Sequence, residues 1–107
     1  MKQIIYGIDI TKEVTPLMVR DAIVNCFFEA HCADSDVEEK DKDINKIYCK
    51  EIVKNAFEKV NVDFNKPDKN GIISAMNELA EFSKKFRNQE IVQKHFDEIM
   101  ELVNKLS

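Results

Sequence analysis

The residues whose chemistry stands out lie between positions 21 and 32. Asp21, Asn25 and Glu29 recur every four residues, so on a helix a carboxylate, an amide and a second carboxylate project from one edge, with Cys32 continuing the line. Such a row can hold a divalent ion, or position a base, once a facing helix adds complementary groups, and His31 is the nearest further ligand. Helical bundles that bind two metals in this way carry paired Glu-x-x-His motifs, which are absent here. The plainer reading is that the row is the solvated edge of a mostly buried helix. His31 falls between Val24 and Phe27 around its helix, and His95 between Ile91 and Ile99 around another. Both are expected as hydrogen-bonded histidines at a core edge or a subunit interface.

Other chemistry-bearing residues carry weaker signals. Residues 66–77 imitate part of a calcium-binding loop, with Asp68, Asn70, Gly71 and Ile73 at matching positions. The first ligand position holds Lys66 and the twelfth holds Asn77, so a cation and an amide stand where two carboxylates are needed, and a turn leading into a helix explains the same letters. Cys26, Cys32 and Cys49 are odd in number and form no C-x-x-C, which speaks against a disulfide framework and for a reducing, cytoplasmic setting. If the first two helices fold back antiparallel, Cys26 approaches Cys49. There is no glycine-rich phosphate loop, no serine nucleophile elbow and no His-Glu metalloprotease motif, so no catalytic role and no cofactor are expected.

The elements that position these residues follow from periodicity. Only two glycines and two prolines interrupt 107 residues, which favours long helices over many short strands. A first helix over 16–33 opens at Thr15-Pro16, where the threonine can cap free N–H groups and proline at the first helical position gives up nothing. Its apolar residues, among them Val19, Ile23, Phe27 and Phe28, cover more of the circumference than one packing stripe needs. A second helix over 38–60 has two candidate starts, a capping box at Ser35-Asp36-Val37-Glu38 and the firmer periodicity from Ile44, and its buried face includes Tyr48, Cys49, Ile52 and Val53. Helices over 72–87 and 89–106 follow, the last capped by Asn88. Residues 2–10 alternate Ile4, Tyr6, Ile8 and Ile10, the period of a strand or extended arm, whose partner is either the alternating Val60, Val62 and Phe64 or the helix that follows.

The fold class expected is therefore mainly α, about four helices packed as a small bundle, in a single helical domain over 1–107. The net charge of −4 resides in residues 34–43, where six acids meet two lysines. Without a basic stripe no nucleic-acid partner is expected, and without a run of about 20 apolar residues no membrane span is expected. The surplus of apolar helix surface points to a protein-interaction or assembly module, with a second copy of the chain as its partner and Phe27, Phe28, Phe96 and Leu102 at the interface. The alternative is a small helical metal protein or enzyme using the Asp21, Asn25 and Glu29 row.

Overall fold

Thr15 accepts a hydrogen bond from the Met18 N–H, and with Pro16 behind it the chain enters α1 (Pro16–Ser35). In this computed structural model, residues 4–106 are described. The helix ends where Asp36 adopts a left-handed conformation, φ 51°, and its N–H returns to the Cys32 carbonyl. Ser35 thus belongs to α1, so the capping box expected at that point is not used. A short 3-10 turn (Glu39–Asp41) leads instead into α2 (Lys42–Lys59).

The next loop is closed by the Asp68 carboxylate, which accepts from the Gly71 N–H at 2.7 Å and so starts α3 (Lys69–Ser83) three residues earlier than periodicity alone indicated. A side chain on residue 71 would meet the Asp68 carboxylate and Val62 at 2.8 Å, which is why a glycine stands there. The letters that imitate a calcium loop therefore build a helix cap. Asn88 accepts from the Ile91 N–H and opens α4 (Gln89–Val103), as its position suggested.

The N-terminal segment differs from expectation. Residues 2 and 3 lie outside the described residues, and the rest of the presumed strand folds on itself: β1 (Ile4–Ile5) pairs antiparallel with β2 (Ile8–Asp9), in the register Ile5 opposite Ile8. Neither Val60, Val62 nor Phe64 is its partner. Tyr6 and Gly7 form the tip with φ of 50° and 83°, the paired positive values of a tight hairpin turn. Turning the chain there breaks the alternation, so Ile5 and Ile8 are buried while Ile4 is exposed.

One contiguous core joins the hairpin to all four helices. The helix α1 lies at its centre and packs on α2, α3 and α4, whereas α2 packs mainly on α1 and α3. Phe57 and Phe64 meet edge to face at the base of the α2–α3 connection, and Arg20 of α1 caps that corner. Its guanidinium lies 4.6 Å from the Phe64 ring and donates to the Phe64 carbonyl at 2.8 Å. Asp34 ties the far end, accepting from the N–H groups of Arg87 and Asn88. Among the described residues no helix is long and apolar enough to cross a membrane.

Candidate functional site

The row on α1 is not gathered with further ligands among the described residues. Asp21 is exposed and turned to the guanidinium of its neighbour Arg20, 2.7 Å away; Glu29 is exposed and Asn25 half-buried. Among the described residues no group of three or more His, Cys, Asp and Glu side chains is gathered in a way that could hold an ion.

His31 has a structural task. Its Nε2–H donates to the Asn45 Oδ1 at 3.0 Å, because the Asn45 amide nitrogen is already committed to the Asp41 carbonyl at 2.8 Å. The imidazole also lies 6.0 Å from the Tyr48 ring and 6.5 Å from Phe86. One side chain near the end of α1 thereby ties that end to the first turn of α2.

His95 joins a second polar group at the opposite side of α1. Its Nδ1 shares a hydrogen bond with the Tyr6 hydroxyl, which also reaches the Cys26 thiol. Burial pushes the Tyr6 hydroxyl well above the ordinary phenol value, with Cys26, Glu98 and Glu29 adding in the same direction. Burial likewise pushes the Cys26 thiol up to about 12, against the smaller opposing effect of its hydrogen bond with Tyr6. A thiol held that firmly protonated is a poor nucleophile and a poor metal ligand. The cluster pins the hairpin tip to α1 and α4, and it offsets the cost of holding a tyrosine at positive φ. Cys26 therefore faces the hairpin rather than Cys49, whose thiol neighbour is Cys32 and which burial also pushes to about 12. All three cysteines are free.

The apolar residues expected to meet a partner divide unequally. Leu102 is fully enclosed and Phe27 is 5% exposed, both within the core of this one chain. Phe27 packs between Phe82 and Phe86, with ring centroids 5.7 Å away in each case. Phe28 and Phe96 are half-buried, Phe28 lying under Lys46. The four helices and the hairpin thus suffice to cover the surplus of α1, and neither Phe27 nor Leu102 has a face left for a partner.

The unsatisfied apolar surface lies on α2. Ile44, Ile47 and Tyr48 are 70%, 67% and 53% exposed, at the i, i+3 and i+4 spacing that brings three side chains into one patch. Among the described residues, the other large apolar side chains that are exposed, Ile4 and Leu17, stand singly on separate elements. Tyr48 was expected on the buried face; His31 holds it at the border instead. The sequence did carry the signal, since Ile44 and Ile47 fall outside the face set by Cys49, Val53 and Ala56, but an apolar residue at the start of an amphipathic helix is easily absorbed into its core stripe. Compared with family models, curated proteins and solved structures, the chain matches none.

Proposed function

We propose that this chain is a protein-interaction module that assembles with a second copy of itself through the outward face of α2. The observation that carries the reading is the contiguous exposure of Ile44, Ile47 and Tyr48 on a helix otherwise lined by charge. Scattered apolar residues are normal on a protein surface, whereas three large ones at helical spacing form a patch that water covers at a cost. Covering each such side chain is worth about 1.5–3 kcal/mol before the entropy of association is subtracted. A patch of this size supports a weak, concentration-dependent contact rather than an obligate one.

The reading assigns no catalytic role and no nucleic-acid partner, the second supported by the acidic balance of the chain. It also places the protein in the cytoplasm, supported by three cysteines that remain free. Light scattering across a hundredfold range of concentration tests it. The mass is expected to rise from 12.4 kDa towards twice that value, and Ile47→Asp is expected to hold it at 12.4 kDa with an unchanged circular dichroism spectrum. A wild-type chain that stays at the monomer mass at the highest concentration overturns the reading.

A further inference from the structure

The charges beside the α2 patch carry more than the fact of association. Asp43 and Lys50 are seven residues apart, two helical turns, and so share one edge of the stripe formed by Ile44 and Ile47. Tyr48 borders the opposite edge. Asp43 and Lys50 are both exposed, and neither joins an ion pair among the described residues. A two-fold contact must be self-complementary: whatever one copy offers, the other must accept in reverse.

Resting on the self-assembly reading above, we infer that two copies pair α2 against α2 antiparallel, with Ile44 of each packed on Ile47 of the other and Asp43 of each facing Lys50 of the other. When antiparallel helices are related by a two-fold axis, equivalent edges face one another. Placing the axis between residues 45 and 46 sets Ile44 opposite Ile47 twice, giving a core of four isoleucines. The same register puts Asp43 within about two residues, roughly 3 Å along the axis, of Lys50 in the second copy, and it does so twice. Tyr48 closes the other edge.

The parallel alternative has no such match. It would lay the two acidic segments, residues 34–43, side by side, six acids and two lysines against the same set. Like charges held that close repel, while the antiparallel arrangement lays the start of each α2, with Asp43, against the part of the other α2 that carries Lys50 and Lys54 alongside Glu51. The two helix dipoles then also run in opposite directions.

A charge-swap cycle tests the geometry separately from the association. Asp43→Lys and Lys50→Asp are each expected to weaken the dimer about tenfold by sedimentation velocity at low salt, and the double variant is expected to return to within about threefold of wild type. As a second measurement, in a Cys32→Ser background, a mixture of Ile44→Cys and Ile47→Cys chains is expected to form the mixed disulfide in preference to either homodimer. If Ile47→Asp abolishes association while the swap fails to restore it and the homodimers cross-link best, the antiparallel pairing is wrong and the module reading stands. If the wild-type chain does not associate at all, both fall.

Discussion

The helices α1 and α2 differ in a way that their sequences invert. Counted residue by residue, α1 carries far more apolar surface, with seven of its side chains buried, and α2 reads as an ordinary amphipathic helix with four. Yet it is α2 that leaves three large apolar side chains in water, whereas among those of α1 only Leu17 is exposed. The difference lies in the neighbours each has: α1 packs on three helices with the hairpin pinned to it, while α2 packs mainly on α1 and α3. Apolar residues in excess of one stripe mark a central helix; apolar residues on the wrong side of a peripheral helix mark a contact surface.

The contrast can be broken most forcefully in α1. Phe27→Ala removes a ring enclosed by Phe82 and Phe86 and is expected to cost about 3–5 kcal/mol in chemical denaturation, an outcome that a true interface residue would not produce in the monomer. Tyr6→Phe strips the hydroxyl from the cluster with His95 and Cys26 and is expected to cost about 1–3 kcal/mol, because the histidine nitrogen loses its partner in a half-buried place. A loss near zero would mean that the hairpin tip is not held by this bond.

Raising the pH probes the same buried side more gently. Cys26 and Cys49 both stand at about 12 against an ordinary value of 9.0, so the unfolded chain gives up these protons first. The stability they confer is intact below pH 9 and declines as the pH climbs from 9 towards 12. Thermal melts at pH 8, 9 and 10 are expected to show a falling midpoint only above 9, and Cys26→Ala is expected to flatten that fall. The smallest effect belongs to α2: Ile47→Ala is expected to change monomer stability by no more than about 0.5 kcal/mol while weakening self-association. A large destabilisation there would erase the distinction between the two helices.

Much of the architecture was legible before any coordinates. Thr15 with Pro16 and Asn88 announced two helix starts within a residue of where they occur, because a cap is a local event that neighbouring residues decide. The second helix start was not legible, since Ser35 could cap a new helix or end the old one, and only the left-handed turn at Asp36 resolves the choice. The pairing partner of the N-terminal strand was not legible for a related reason. Its alternation continues through Tyr6-Gly7, and nothing local distinguishes an extended arm from a hairpin whose tip tyrosine is secured by a histidine 89 residues further along the chain.

By itself the sequence determined the helical class, the order of the four helices, the starts of α1 and α4 and the abundance of apolar residues on α1, all of which follow from periodicity and capping over a few turns. Where that surplus ends up was decided by the tertiary structure alone. Whether a side chain is covered depends on elements distant in sequence: α3 and α4 help to enclose Phe27, α4 lends its own Leu102 to the same core, and among the described residues nothing covers Ile44 and Ile47.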